Sequence, residues 1–534
     1  MRRQRRARLD IQYHPTARGL LRDQPHRTDS NLIAWAIVGF SDAAPRSGTF
    51  GRGWPEPRTQ PPCAISRTEG LSKHMVSSVI ERTALETARP LKPRSRVVLI
   101  AFHYHPDPAV GSLRARNAAQ ALVAAGHDVH VITSAIDGAP TDSHDGLVHV
   151  VRVTSGASPR DLLSKLKRVL SMTRRREPAT ETPAKSTGGE SGWKAPEKVS
   201  MLRRWIGSVT WLPDDRQGFI LPAARAAEGL MRGDGTDVLY TTAPPFSDHL
   251  VGLVLRRRAR FRWMLEFRDP WTDNTYKPWF VRSFISDRLE IFLERRCFSQ
   301  SDVIVTVTSA YADVLRARHG PPIANKVIVA RNGIPRTFPP TPSDASRFTV
   351  VYAGTFYLRR DPNAFLTALA RVNARGGTLS RRLDVQLVGD CRHFEGEALA
   401  PKIAALGLSD VVTFVDWLPH AESVELMRRA DMLLLFAQDQ PLAVPNKLYE
   451  YLGMGKPILA FADDEGETAL LLRDIGGHFV ITGTDGADAI EKALLDALGR
   501  ASNNDIASPA LAALATSIQM KTVTNWLEAT PARV

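Results

Sequence analysis

Cysteine is scarce. Cys63, Cys297 and Cys391 are the only ones in 534 residues, far apart and odd in number. They offer neither a disulfide framework nor a metal knuckle, and a reducing compartment fits. No stretch comes near the roughly 18 consecutive apolar residues that a membrane-spanning helix needs, so none is predicted. The loop after the first strong strand lacks GxGxxG, which weakens any case for a dinucleotide cofactor.

What is present is an ordinary globular composition, 43% hydrophobic and 24% charged, with length enough for two nucleotide-binding-sized domains. The formal net charge of +14 is uneven. Residues 1–94 carry 17 Lys/Arg against 8 Asp/Glu, and residues 155–210 carry 12 against 5, leaving the remainder close to neutral. Such local surpluses suit a nucleic acid or an anionic membrane surface and do not separate the two. Residues 1–93 open on an arginine cluster and run through a Pro/Gly/Ser-rich stretch, so they read as a disordered basic leader.

Regular structure is predicted to begin at Arg96. VVLIAF (Val97–Phe102) reads as a strand covered on both faces. A loop with Pro106, Pro108 and Gly111 follows, then a helix capped by Ser112 and stopped by Gly126, then a strand over Asp128–Thr133. This is a strand–loop–helix–strand unit, whose ligands belong at the strands' C-terminal edge. Gly111 either lets a substrate approach the backbone or merely turns the chain. Arg114 and Arg116 are anion binders or surface arginines. His103 and His105 are more often structural than catalytic at such a place. The insert at about 155–210 starts with a Ser158–Pro159 cap and holds MLRRWIGSVTWLP, whose basic and tryptophan residues suit an interfacial helix or an internal packing element. The α/β rhythm resumes at VLYTTAP. FRWMLEFRDPW ends in the Arg268–Asp269 pair, a place for substrate contacts or a local salt bridge. SDVIVTVTSA and KVIVARNGI close the unit near 335.

A second α/β series occupies about 346–510, with strands at Phe348–Gly354, Leu383–Gly389 and Met432–Ala437. Two such domains facing across a cleft make a natural ligand site. Residues 511–534 read as a final helix crossing back to the first domain. The most informative segment is PNKLYEYLGMGKPILAF. Asn446, Lys447 and Glu450 lie at the start of a helix just past a strand end. Helix-terminal N–H groups and Lys447 suit a diphosphate, and Glu450 suits two ribose hydroxyls. An ordinary helix with solvated polar positions is the competing reading.

Together, HYHPDPAVGSLRARNAAQALVAAGHDVHVIT, EFRDPWTDN, SDVIVTVTSA, VIVARNGI, VYAGTFYLRRDP and PNKLYEYLGMGKPILAF make the chain resemble family 4 glycosyltransferases of bacterial capsule, exopolysaccharide and lipopolysaccharide synthesis. They stand in the family's order across roughly residues 96–490. The resemblance implies an α/β GT-B fold of two Rossmann-like domains, and a retaining, hexosyltransferase-like enzyme needing no metal or other cofactor. By that resemblance Glu450 and Asn446 hold the nucleotide sugar, Lys447 with Arg359 and Arg360 neutralises the leaving diphosphate, Gly354, Thr355 and Gly111 pass close to the donor, and Asp269 belongs to the catalytic set. A uridine diphosphate sugar is the broadest expectation for the donor. The acceptor is expected to be a glycan or polyprenyl-linked oligosaccharide, with the protein cytoplasmic or peripheral on an anionic inner-membrane surface and no nucleic-acid partner. Three departures stand out. Leu442 occupies a position where the broader family often has a glutamate, Thr355 one where it often has arginine, and the Arg268–Asp269 loop stands where a histidine is often found. A nucleotide-sugar 2-epimerase is the alternative enzyme, and a basic nucleic-acid-binding scaffold the alternative from another class.

Overall fold

Residues Val97 to Ile100 are fully buried, as expected of a strand with helices on both sides. The computed structural model describes residues 95–159, 161–162, 208, 210–233, 235–272, 283–339, 341–342, 344–356, 360–376, 381–500, 506 and 509–529. The expectation for the leader, most of that for the insert, and the position of Arg359 lie outside them.

The first sheet is eight-stranded: β1 (Arg96–Ile100), β2 (Asp128–Ser134), β3 (Asp142–Asp145), β4 (Val148–Val153), β5 (Val238–Ala243), β6 (Arg262–Phe267), β7 (Val303–Thr306) and β8 (Val327–Val329). Its spatial order is β3-β4-β2-β1-β5-β6-β7-β8, parallel except for the β3–β4 hairpin. The second sheet has six strands: β9 (Arg347–Ala353), β10 (Arg382–Val388), β13 (Val412–Val415), β14 (Met432–Ala437), β15 (Ile458–Ala462) and β16 (Phe479–Ile481), the small hairpin β11 (His393–Phe394) and β12 (Glu397–Ala398) standing apart. Its order is β13-β10-β9-β14-β15-β16, all parallel. Chain order reverses between β1 and β5 in one sheet and between β9 and β14 in the other. Open α/β sheets bind ligands at such reversals, outside the strands' C-terminal ends. The loops singled out from sequence therefore stand at both reversals.

Each sheet is covered on both faces by separate apolar clusters. The helix Thr516–Ala529 packs Met520, Val523 and Leu527 into a cluster of the first sheet, and Arg262 donates to the Leu527 carbonyl. Among the described residues no helix is long and apolar enough to cross a membrane.

Local details differ from expectation in instructive ways. The helix expected to start on Ser112 spans Val110–Ala124, and Ser112 is buried inside its first turn. Asp107 accepts the Ala109 N–H at 2.9 Å, and the cap falls on Ala109, three residues earlier than the serine signal suggests. Gly126 ends that helix with φ of 85°. Ser158 does cap its helix: its hydroxyl accepts from the Asp161 N–H at 3.2 Å, and the Asp161 carboxylate accepts the Ser158 N–H at 2.9 Å.

Arg114 and Arg116 are not anion binders here. Arg116 holds Asp145 with two bonds of 2.7 Å. Arg114 is buried and donates to Glu266 at 2.6 and 3.1 Å and to the Ala330 and Arg331 carbonyls. Glu266 also accepts from the Tyr240 and Thr242 hydroxyls. Burial alone would push the Glu266 carboxyl up, but the Arg114 charge and the bonds from Arg114 and Thr242 together hold it below the usual range. Removing one partner of such a pair strands a buried charge. Arg114→Ala should therefore lower unfolding free energy by about 3–5 kcal/mol, read from urea denaturation. Since the folded Glu266 carboxyl lies below its unfolded value of about 4.3, its stabilisation is complete above that pH and fades as pH falls through the folded value. A urea midpoint unmoved by Arg114→Ala would sink this account.

Candidate functional site

The helix Asn446–Gly453 begins just past β14, behind Pro445, with no side-chain cap. Its first N–H groups therefore have no side-chain acceptor, and its dipole favours negative charge there. Leu448, Tyr449, Tyr451 and Leu452 are its buried stripe, which leaves Asn446 exposed and Lys447 and Glu450 half-buried on the outer side. Lys447 Nζ donates to Glu450 Oε2 at 2.8 Å. His420 Nε2 lies 2.7 Å from Glu450 Oε1. Both carboxylate oxygens are thus turned toward hydrogen-bond donors. His420, first residue of the helix His420–Arg429, is 79% exposed in its side chain, so a ligand can displace its ring at little cost.

The loop after β9 comes to the same place. The Ala353 N–H donates to Tyr451 Oη at 3.0 Å and ties the end of β9 to the helix. Gly354 and Thr355 follow directly, partly exposed, with the Thr355 carbonyl accepting from Tyr352 Oη at 3.0 Å. Arg360 stands at the far end of this loop, half-buried. The structure therefore brings together Gly354, Thr355, Asn446, Lys447 and Glu450.

Gly111 and Asp269 belong to the other reversal, beside β1 and β5. Of the two readings of the Arg268–Asp269 pair, the local salt bridge is not formed among the described residues. The Arg268 guanidinium instead donates to the carbonyls of Ala243, Pro244 and Gly111. A Cβ on residue 111 would collide with that guanidinium, so the glycine admits Arg268 whatever it does for a ligand. Asp269 is left solvent-accessible, with no hydrogen-bond partner among the described residues. Loss of solvation from the protein around it raises its carboxyl above the usual range, against the pull of Arg268. The β1 end is fixed by buried Asp248, which accepts the Phe102 N–H at 2.9 Å. His103 is held by Asp107 at 2.6 Å.

The domains meet through a few polar contacts. Thr308 Oγ1 donates to the Leu442 carbonyl at 2.7 Å. Glu467, 5% exposed in its side chain, accepts from Arg331 at 2.7 Å and from the Ala310 N–H. Residues 111–333 match the model of a glycosyl transferase 4-like domain, and residues 347–500 that of glycosyl transferases group 1. The chain belongs to the GT-B glycosyltransferases. Similar folds include sucrose-phosphate synthase from Thermosynechococcus elongatus, at 16% identity and TM-score 0.50, covering 82% of this chain and 100% of that one. Another is α,α-trehalose 6-phosphate synthase from Burkholderia multivorans, at 14% identity and TM-score 0.50, covering 82% and 97%. Among curated proteins, none matches this sequence.

Sequence reasoning missed His420 and Glu467 in this glycosyltransferase. Neither gave a signal, since their partners Glu450 and Arg331 are remote in sequence. The Gly111–Arg268 packing has a direct check. Gly111→Ala should cost about 1–3 kcal/mol in thermal or urea unfolding, and much less in an Arg268→Ala background. Equal costs in both backgrounds would show that Arg268 is not what excludes a side chain at 111.

Proposed function

We propose that this glycosyltransferase moves a sugar, with retention at the anomeric carbon, from a nucleoside diphosphate to a hydroxyl of a glycan or lipid-linked acceptor in cell-surface polysaccharide synthesis. The observation that carries the donor half is the Glu450 carboxylate, flanked by Lys447 and His420 at an uncapped helix start. Glu450 accepts the two ribose hydroxyls, replacing its bond to His420. The helix N–H groups, Lys447 and Arg360 face the diphosphate, with Arg359 as a further candidate. Gly354 and Thr355 keep the loop low beside the donor, and Asn446 adds an exposed amide at the helix start. Gly111 lines the approach from the other domain. A uridine diphosphate sugar is the first donor to test.

The chemistry follows from charge. Breaking the anomeric C–O bond puts negative charge on the leaving diphosphate, and fixed cations and N–H dipoles lower that barrier without reorganising. Lys447 and the arginine supply the charge, so this reading assigns no metal. The acceptor hydroxyl attacks the same face that the diphosphate leaves, and its proton passes to the departing phosphate oxygen. No enzyme carboxylate forms a covalent link, unlike in retaining glycosidases. Asp269, solvent-accessible and without a hydrogen-bond partner among the described residues, accepts a hydrogen bond from the acceptor in its ionised form.

Glu450→Ala should weaken nucleotide-sugar binding by roughly tenfold or more in calorimetry, since it removes two charge-assisted hydrogen bonds. Lys447→Ala should lower kcat by about a hundredfold in a nucleotide-release assay. Unchanged binding and turnover in the two variants would refute the site. The raised Asp269 carboxyl gives a pH signature. Turnover should fall as pH drops through a value above the ordinary aspartate pKa of about 3.9. Asp269→Asn should be slow at every pH and lose that limb. If the limb persists in the variant, it belongs to another group.

A further inference from the structure

The helix Phe284–Gln300 is built inside out. Its buried residues are Ser286, Glu290, Glu294, Cys297 and Phe298, so the inward stripe of its first half is polar. Its outward side carries Phe284 at 74% exposure, Phe292 at 61%, Ile285 at 45% and Leu289 at 39%. At about 100° per residue these four share one arc of roughly 140° with Arg288, Arg295 and Arg296. The three arginines are exposed, and none pairs with a carboxylate among the described residues. Arg288 lies 4.9 Å over the Phe284 ring. Asp287 is the nearest exposed acidic residue of the helix, about 60° outside the arc.

The helix also outruns its sheet. The Thr272 hydroxyl, in the loop after β6, donates to Glu294 at 3.0 Å. Ten residues precede Glu294 in the helix. About 15 Å of helix therefore runs past the level of Thr272. That overhang starts at the strand-end edge on which Asp269 stands, and it holds all four exposed apolar side chains.

A water-facing helix normally turns such residues inward. The reversed pattern matches a helix lying in a lipid headgroup layer, apolar residues reaching down and arginines meeting anionic phosphates. We infer that the face formed by Phe284, Ile285, Leu289 and Phe292, with Arg288, Arg295 and Arg296, docks this glycosyltransferase on an anionic bilayer. The charge of the face selects lipid phosphate as its counterpart, and the lack of neutral hydrogen-bonding side chains between the rings disfavours a polar protein surface. The inference stands apart from the identity of the donor or acceptor, because docking is read without transfer.

The test is flotation of the full chain with vesicles of phosphatidylglycerol mixed with phosphatidylcholine, and with phosphatidylcholine alone. The wild-type chain should float with the anionic vesicles. Phe284→Ser with Phe292→Ser leaves the net charge untouched and should reduce the floated fraction by about tenfold or more. Arg288→Glu with Arg295→Glu should reduce it similarly, through lost attraction to phosphate. Both variants should keep the wild-type melting temperature and full transfer to a water-soluble acceptor. Four results overturn the inference. The wild-type chain stays unbound, or the serine variant floats as well as wild type and the chain's general positive charge explains binding. The serine variant melts far lower, which shows the rings are covered in solution. Or sedimentation shows a wild-type dimer that the serine variant dissolves, which assigns the face to a second copy. Loss of transfer with flotation intact would count against the proposed reaction and leave the docking face standing.

Discussion

The molecule hangs together on one buried arginine. Arg114 neutralises Glu266 in the core of the first sheet and also donates to the carbonyls of Ala330 and Arg331. That second pair of bonds matters as much as the first. It fixes the backbone at which the chain leaves the first domain, and so places the Arg331 side chain. Arg331 then reaches Glu467 of the second domain and stands beside Tyr449, a buried residue of the helix that carries Lys447 and Glu450. A charge satisfied deep in one domain is thus continuous with the element that carries the Glu450 carboxylate of the other. A buried ion pair gives little net stability over apolar packing of the same volume. Its value here is position.

The two halves of the cleft solve opposite electrostatic problems. In the second domain, the carboxylate of Glu450 faces donors on both oxygens, and the N–H groups of an uncapped helix sit beside it. In the first domain, Arg268 could have neutralised Asp269, but its donors go to three carbonyls. Those bonds tie the end of β5 to the first turn of the helix Val110–Ala124, and Asp269 has no hydrogen-bond partner among the described residues.

Much of this was legible in the sequence, and the parts that were not share a cause. Unbroken apolar runs such as Val97–Ile100 and Met432–Ala437, short and followed by helical patterns, read as strands covered on both sides, and they recur at α/β spacing. The site helix was legible because its residues lie within one turn of each other, so spacing alone puts Lys447 and Glu450 on one side. Arg114 and Arg116 misled because an arginine at a loop-side helix start looks the same whether its partner is a ligand or a carboxylate far along the chain. Their partners, Glu266 and Asp145, come from other strands and turns. His420 was silent for the same reason. Ser112 misled differently: a good capping residue lost to Asp107, which sets the helix start from two residues outside it.

Leu442 shows how a departure from a familiar pattern is absorbed. A glutamate at this position would put a charge beside the first domain's apolar cluster, where the leucine side chain now packs. The contact that joins the domains there does not involve that side chain. It is the Leu442 carbonyl that takes the Thr308 hydroxyl, and Thr308 is at the same time the N-cap of the helix Ser309–His319. Two residues on, the Ala310 N–H of that helix's first turn donates to Glu467. The first-domain helix start therefore holds the acidic group that reaches across, supplied by Glu467 and backed by Arg331. Glu467 meets the N-terminus of the helix Ser309–His319, where the helix dipole favours an anion, while Leu442 packs among apolar side chains. The joining contacts there come from the Leu442 backbone carbonyl and from Glu467, not from the side chain at 442.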